Sequence, residues 1–358
     1  MRLLIDNKTM KIMSDILWSP DPSQSCEMQQ FMKYVNNEHE LNFDTYEQLY
    51  RWSINCGSDF WASIWKYTNI IYSEPYDEVV DNINRMPGAK WFSGSRLNFA
   101  ENLLRYKDEK LAIQFKSEGQ PVRSLTYKEL YNEVEILANA LRNSGLQEGD
   151  RVAGFLPNIP EAIIAMLATA SIGAIWSASS PDFGIKGVLD RFSQIKPKFL
   201  FAANGYFYDG KLFDSLEKLR GILEDLPSVK KVILIPYTKD DFDTSNISHA
   251  FYYEDFVDRN NYDSLVFEQL PFNHPLYIMY SSGTTGLPKS IVHSTGGTLI
   301  QHLKELKLHV DLNRDDTIFY FTTCGWMMWN WLVSSLATGA TVVLYDGSPL
   351  HPDSSAMW

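Results

Sequence analysis

From Leu111 onward, the chain alternates between two patterns of apolar residues. Short β-prone runs, such as LAIQF at residues 111–115 and RVAGFL at 151–156, are each followed by a longer stretch with apolar residues three and four positions apart. The first pattern is typical of buried strands and the second of amphipathic helices. Their regular alternation with short connections predicts an α/β fold, in which helices cover both faces of a parallel sheet.

Two of the predicted helices carry clear boundary signals. Residues 125–145, LTYKELYNEVEILANALRNSG, begin with a capping box of Thr126 and Glu129 and end at Gly145. Residues 160–173, PEAIIAMLATASIG, place Pro160 in the first turn, where its missing N–H would have no helical partner anyway.

The regions before and between these elements differ in texture. Residues 1–70 show helical spacing and many aromatic residues, and we expect them to be a helical appendage that packs against the main domain, residues 71–358. Residues 237–272 are acidic, aromatic and irregular, which favours a surface segment before the buried strand PLYIMY at 275–280.

Composition narrows the class of protein. An apolar fraction of 45% and a charged fraction of 21% are those of an ordinary globular chain. The formal charge of −12 argues against non-specific binding to nucleic acid or anionic membranes. The three cysteines lack the spacing of a disulfide framework or a zinc site, and the N-terminal apolar run is too short for a signal peptide. These features predict a reducing, cytoplasmic setting.

Two uncharged stretches, residues 162–181 and 317–345, are long enough to consider as membrane spans. Both are interrupted by Gly, Ser, Thr or Asn. We therefore expect buried helix–strand segments of a large core and no membrane span.

The stretch YSSGTTGLPKSIVHS, residues 280–294, concentrates hydroxyls, glycines and one lysine between two apolar runs. Glycine lets backbone N–H groups approach an anion, hydroxyls add donors, and Lys289 adds a full charge. The spacing does not fit the Walker pattern, because the lysine comes three residues after Gly286 and a β-prone run follows. The residues alone leave two interpretations open: a phosphate loop between strands, or a hydroxyl-rich hairpin turn without a ligand.

SSGTTGLPK, residues 281–289, resembles the signature loop [ST]SGTTGxPK of the acyl-adenylate-forming enzymes. LTYKEL and MLATASIGAIWSASSPDFG are similar to the first and second core motifs of the same family. The resemblance implies the large N-terminal domain of that fold, with parallel sheets flanked by helices. It also implies that the loop binds the β- and γ-phosphates of ATP, with Thr284, Thr285 and Lys289 acting in catalysis. The implied nucleotide-binding residues are Ser281, Ser282, Gly283, Thr284, Thr285, Gly286 and Lys289.

Two further segments are similar to the acetyl-CoA synthetase branch, and in particular to its acetoacetate-activating members: WFSGSRLNFAENLL at 91–104 and CGWMMWNW at 324–331. The resemblance implies that Trp326, Met327 and Met328 border the acyl pocket, where large apolar side chains would suit a short acyl chain. We expect the amide of Asn330 to hydrogen-bond a keto oxygen, which would help to distinguish acetoacetate from butyrate. Arg191 matches a position near the phosphates of CoA. The alternatives are that the aromatics are plain core and that Arg191 is a solvated charge.

The function that the resemblance implies is ATP-dependent conversion of acetoacetate to its CoA thioester through an acyl-adenylate. Mg²⁺ would enter bound to the ATP phosphates, with no metal site on the protein, and CoA would be the second substrate. The family's Tyr-Gly-x-Thr-Glu motif, ribose-binding Asp and late catalytic Lys do not follow Lys289. We therefore expect an N-terminal part that lacks the C-terminal lid domain and is inactive or impaired alone. The alternatives are an acetyl- or propionyl-CoA synthetase fragment and a non-catalytic nucleotide-binding remnant, and the oligomeric state is left open.

A last pattern, QHLKELKLH, places His302, Glu305 and His309 near one another on a regular helix, as a metal-binding face would. We interpret the trio as a polar flank, because it lies to one side of the apolar stripe. That predicted stripe consists of Leu299, Leu303, Leu306 and Val310.

Overall fold

The structure is a computed structural model that describes residues 25–239, 242–281 and 286–357. Its helices are α1 (Glu27–Glu38), α2 (Tyr46–Asn55), α3 (Gly57–Tyr67), α4 (Phe99–Leu103), α5 (Tyr127–Asn143), α6 (Pro160–Ser171), α7 (Ile185–Ile195), α8 (Leu216–Glu224), α9 (Tyr253–Phe256), α10 (Thr295–Lys304) and α11 (Met327–Ser334). A π-helical turn, Glu305–His309, continues α10, and a 3₁₀ turn, Ser335–Thr338, continues α11.

The strands fall into two larger sheets and several short pairs. They are β1 (Glu78–Val80), β2 (Trp91–Ser93), β3 (Arg96–Leu97), β4 (Leu111–Ser117), β5 (Arg123–Thr126), β6 (Arg151–Phe155), β7 (Ile175–Ser179), β8 (Phe199–Ala203), β9 (Gly205–Tyr208), β10 (Lys211–Asp214), β11 (Lys231–Ile235), β12 (Ala250–Tyr252), β13 (Leu270–Pro271), β14 (Pro275–Ser281), β15 (Lys289–Ser294), β16 (Thr317–Phe319) and β17 (Thr341–Asp346).

The larger sheet confirms the predicted α/β class. Its strand order is β12-β11-β8-β6-β7-β14-β15, and every neighbouring pair is parallel except the last, in which β15 runs antiparallel to β14. All residues of β7 and β8 are buried, as expected for central strands covered on both faces. Because the strands from β12 to β14 are parallel, their carboxyl ends share one edge of the sheet.

A second sheet, ordered β16-β17-β4-β5, packs into the same core. Between these layers, α6 buries nearly all of its residues, which explains why it carries no charged residue after Glu161. Tyr127, at the start of α5, attaches this helix to the second sheet by donating a 2.7 Å hydrogen bond to the carbonyl of Ala340, the residue before β17.

Both boundary predictions are confirmed. The Thr126 side chain accepts a hydrogen bond from the Glu129 N–H, and the Glu129 carboxylate accepts one from the Thr126 N–H. Pro160 is the first residue of α6.

Helices α1 to α3 pack against the rest of the described chain through aromatic and charged contacts. The ring of Trp65 lies 4.8 Å from that of Phe92, and Lys307 lies 3.3 Å from Glu27. The proposed division at residue 70 stays a prediction, and residues 1–24 lie outside the described part of the chain.

The prediction for residues 237–272 was partly wrong. Within that segment β12 adds to the edge of the large sheet, parallel to β11, and α9 follows it. Phe242 and Ile247 are buried. The signal was missed because β12 has only three residues, and acidic and aromatic neighbours obscure the apolar alternation.

The two uncharged stretches behave differently. Residues 162–181 are buried throughout, as predicted. Residues 317–345 are only partly buried, since Phe319, Phe321 and Trp326 expose 40%, 44% and 65% of their surface. Across the residues that the structure describes, no helix is both long enough and apolar enough to cross a membrane.

The helical face around His302 corrects the polar-flank prediction. His302 is buried, and its Nδ1 lies 2.8 Å from the Ser334 hydroxyl. The π-helical turn that begins at Glu305 has a wider period than an α-helix, so a pattern extrapolated at 100° per residue fails there. Leu308 is consequently buried, whereas Val310 is exposed.

We expect Thr126→Ala to lower the free energy of unfolding by about 1 kcal/mol, because the α5 capping box is lost. The measurement is urea denaturation, with Ser124→Ala, an exposed residue on the preceding strand, as the control. A loss for Thr126→Ala no larger than that of the control would contradict the capping role.

Burial lowers the pKa of His302 to about 4, with His293 lowering it further and Glu305 opposing the shift. The His302 imidazole is therefore protonated near pH 6.5 in the unfolded chain but only near pH 4 in the folded chain. As a result, the free energy of unfolding falls as the pH drops from 6.5 towards 4. This contribution amounts to at most about 3 kcal/mol. We expect His302→Asn, which keeps a polar atom near Ser334, to flatten that part of the stability–pH curve measured by denaturation. The control Ser124→Ala, at an exposed position, should leave the slope unchanged, because it alters no titratable side chain.

Candidate functional site

The hydroxyl-rich loop joins β14 to β15 at the carboxyl edge of the large sheet. Ser281, the last residue of β14, pairs in register with Lys289, the first residue of β15. The predicted site residues Ser282, Gly283, Thr284 and Thr285 lie outside the described residues. The sheet therefore fixes the two ends of the loop opposite each other, in the two-strand setting that the sequence predicts.

The end of the loop that the structure describes leaves Lys289 available to an anion. Its side chain is exposed, and no carboxylate of the described residues lies within salt-bridge distance of it. A side chain at Gly286 would meet open space, so packing within the described chain does not explain this glycine. Both observations are consistent with a loop shaped for a bound anion.

Helix α7 contacts both arms of the loop. On the β14 side, the Tyr280 hydroxyl donates a 3.1 Å hydrogen bond to the carbonyl of Arg191. On the β15 side, Gln194 accepts a 2.9 Å hydrogen bond from the Ser290 hydroxyl and donates a 2.8 Å hydrogen bond to the carbonyl of Pro288. Burial raises the pKa of Tyr280 to about 12, so its hydroxyl keeps its proton at neutral pH.

Arg191 lies beside this anchor, with its guanidinium 4.5 Å from the ring of Phe183 and 5.8 Å from that of Tyr280. Its Nη1 donates a 2.6 Å hydrogen bond to the carbonyl of Gly187. Among the described residues, no carboxylate pairs with it. Stacking therefore holds Arg191 next to β14, the strand that enters the loop. Its role in binding a phosphate of CoA stays a prediction.

Two of the predicted acyl-pocket residues, Met327 and Met328, share a cavity of about 710 Å³ with Trp331. The rest of its wall comes from β15, α10 and the turn after it: Val292, His293, Ser294, Gly297, Thr298, Gln301, His302 and Glu305. Trp326 precedes α11 and is 65% exposed.

Asn330 lies elsewhere. Three residues along a helix place it about 60° from Met327, on the side away from Met328 and Trp331. It lines a separate cavity of about 10 Å³ beside Tyr277, Met279 and Gly325. Within the described part of the chain its Nδ2 has only long contacts, 3.3 Å to the Trp326 carbonyl and 3.6 Å to the Met279 sulfur. The structure thus brings Met327 and Met328 together and does not bring Asn330 to them, and the substrate roles stay predictions.

Sequence reasoning missed the wall that faces the methionines. Thr298, Gln301 and His302 reach the cavity because α10 packs against α11, about thirty residues further along the chain. The buried Thr298 hydroxyl has no hydrogen-bond partner among the described residues. No local motif announces these positions, since their proximity arises only in the folded chain. In the described ranges, no cluster of His, Cys, Asp or Glu could hold a metal ion.

Comparison with known families gives two matches. The model described as AMP-binding enzyme matches residues 99–358, and the model described as acetyl-coenzyme A synthetase N-terminus matches residues 46–103.

The chain is also similar to individual proteins. It is 52% identical to acetoacetyl-CoA synthetase of Gallus gallus and 51% identical to that of Danio rerio, with each match covering 96% of this chain and 53% of the relative. The solved structure of acetoacetyl-CoA synthetase from Streptomyces lividans superposes with a TM-score of 0.90 at 41% identity, over 95% of this chain and 53% of that one. The chain therefore spans about half the length of the curated relatives it matches.

The AMP-binding match covers well over half of the chain and includes both strands that carry the loop. The structural match extends over nearly all of it. The chain therefore belongs to the AMP-binding enzymes, and its fold is that of the N-terminal domain of the acyl-adenylate-forming proteins.

Proposed function

We propose that this chain provides the nucleotide-binding half of an enzyme that activates acetoacetate with ATP and passes the acyl group to CoA. The observation that carries the proposal is Lys289, which lies opposite Ser281 at the carboxyl edge of the large sheet and forms no ion pair with any described residue. The similarity to acetoacetyl-CoA synthetases supports the choice of acid.

The chemistry explains why such a site needs positive charge and hydrogen-bond donors. A carboxylate is a poor electrophile because its leaving group would be oxide, so one of its oxygens attacks the α-phosphorus and pyrophosphate leaves. The resulting acyl-adenylate has AMP as its leaving group, which the thiol of CoA displaces. The attacking carboxylate and the triphosphate repel each other, and groups on the β- and γ-phosphates reduce that repulsion.

We assign this role to the loop and its flanking residues, with Lys289, Thr284 and Thr285 acting in catalysis. Each charge-assisted hydrogen bond contributes about 1.5–3 kcal/mol. The full set that would bind the phosphates is Ser281, Ser282, Gly283, Thr284, Thr285, Gly286 and Lys289.

Mg²⁺ would enter this scheme bound to the phosphates of ATP, as the similarity to AMP-binding acyl-CoA synthetases implies. When bound, it would neutralise charge on the phosphate oxygens. The chain's own contribution would be to orient the phosphates through the loop and to supply Lys289.

For the other substrates, we propose that Met327 and Met328 form the wall against which the short acyl chain packs, with Trp326 as a further contact. The 710 Å³ cavity has ample room for four carbons. Arg191, stacked beside Tyr280, would face a phosphate of CoA.

The three free cysteines, Cys26, Cys56 and Cys324, support a reducing cytosolic setting, which fractionation of cells and immunodetection would test.

We expect Lys289→Gln to weaken ATP binding by about 10- to 150-fold, the equivalent of one charge-assisted hydrogen bond of 1.5–3 kcal/mol. The measurement is calorimetric titration of ATP into the polypeptide at its natural length. Lys33→Gln, on an exposed face of α1, is the matched control. Equal affinity in the two variants would contradict the phosphate site. ATP binding without formation of an acyl-adenylate would instead favour a non-catalytic nucleotide-binding protein.

Because Asn330 lies in a separate cavity from Met327 and Met328, we expect Asn330→Leu to change kcat/KM for acetoacetate and for butyrate by similar factors. Butyrate serves as the internal control for folding. A loss of at least about tenfold for acetoacetate alone would contradict this expectation and support the keto contact, because only acetoacetate offers a keto oxygen. The same assay with acetate and propionate tests the alternative function. A higher kcat/KM for either acid than for acetoacetate would identify an enzyme for shorter acids.

A further inference from the structure

We propose that Gln194 is a positioning residue for Lys289, fixing the β15 arm of the loop so that the lysine faces the substrates. The inference rests on the proposed function, because it concerns the same phosphate site. It concerns a neutral side chain on a helix, about 95 residues before the loop, that no local pattern connects to it.

The contacts of Gln194 enclose Lys289 from both sides. Its Nε2 donates to the carbonyl of Pro288 at 2.8 Å, and its Oε1 accepts from the hydroxyl of Ser290 at 2.9 Å. The same Nε2 also lies 2.6 Å from the carbonyl of Asp190, one turn earlier on α7. The amide is thus fixed to its own helix and holds the residues immediately before and after the lysine.

The geometry of a strand then determines the direction in which the Lys289 side chain points. Successive side chains of a strand point to opposite faces. Since Ser290 points towards α7, Lys289 points to the opposite face, which it shares with His293 two pairs along β15. Met279, the β14 partner of Ile291, lies on this same face, and its sulfur is 3.6 Å from Nδ2 of Asn330 on α11. The hydrogen bond from Ser290 therefore directs the lysine towards the face of the sheet next to α11, the helix that carries Met327 and Met328.

The opposite arm is anchored by the same helix. Tyr280 donates to the carbonyl of Arg191 at 3.1 Å, three residues before Gln194. The pair Ser281 and Lys289 therefore lies between two attachment points on one helical turn of α7, which set the separation of the two arms.

The chemistry of the contact requires an amide. One side chain must donate to a carbonyl and accept from a hydroxyl at once, which glutamine does and neither glutamate nor lysine can. Glutamate would also add a negative charge next to the proposed phosphates. A purely structural role for Gln194 would affect stability, whereas a positioning role must act through Lys289.

The test measures dissociation constants for ATP and AMP on the polypeptide at its natural length. The variants are Gln194→Ala, Gln194→Glu, Lys289→Gln, the double variant Gln194→Ala with Lys289→Gln, and the control Gln30→Ala on the exposed face of α1. We expect Gln194→Ala to weaken ATP binding about 5- to 10-fold and AMP binding less than about twofold, as for the loss of one hydrogen bond to a positioned group. Gln194→Glu should be weaker still for ATP, and the control unchanged.

The double variant decides how Gln194 acts. If it works through Lys289, removing Gln194 costs little further affinity once the lysine is gone, so the two effects are not additive. Additive losses, an equal loss for AMP, or no loss in Gln194→Ala would each overturn the inference. If Lys289→Gln weakens ATP binding and Gln194→Ala does not, the inference alone fails. If the unaltered polypeptide does not bind ATP, or binds it as well without Lys289, the proposed function fails and the inference with it.

Discussion

The antiparallel pairing of β15 with β14, at the border of an otherwise parallel sheet, is the constraint on which the candidate site depends. Parallel strands deliver their carboxyl ends to one edge, and the chain normally leaves that edge through a helix. Here it turns back directly, so Ser281 and Lys289 become cross-strand neighbours. The pairing places the cation of Lys289 at the edge where the central parallel strands also end. Helix α7 contacts both arms of the loop there.

The sequence allowed much of this to be predicted. Strands buried on both faces give continuous apolar runs in the sequence. Capping signals such as Thr126 and Glu129 involve residues close in sequence, so strands and helix ends can both be located without knowledge of tertiary contacts. The loop was also recognisable, because its small polar residues and Lys289 serve no evident packing purpose. The chemistry that depends on neighbours in sequence was therefore accessible.

What could not be predicted depends on distant segments or on irregular geometry. The contact of Gln194 with Pro288 and Ser290 joins residues almost a hundred positions apart. The π-helical turn after α10 changes the helical period, which buries Leu308 and exposes Val310 against the extrapolated pattern. Asn330 was grouped with Met327 because they are close in sequence, yet the helical turn between them directs the two side chains to different cavities.

The position of β15 has a consequence for how the molecule behaves towards copies of itself. Among the described strands it forms one of the two borders of the large sheet, and its apolar Ile291 and Val292 are 45% and 56% exposed. Such a border offers unpaired backbone groups to any other extended chain, and natural proteins often protect it with a charged side chain, most often lysine. Lys289 stands at the start of this strand, so the charge that would attract a triphosphate also discourages strand-to-strand aggregation.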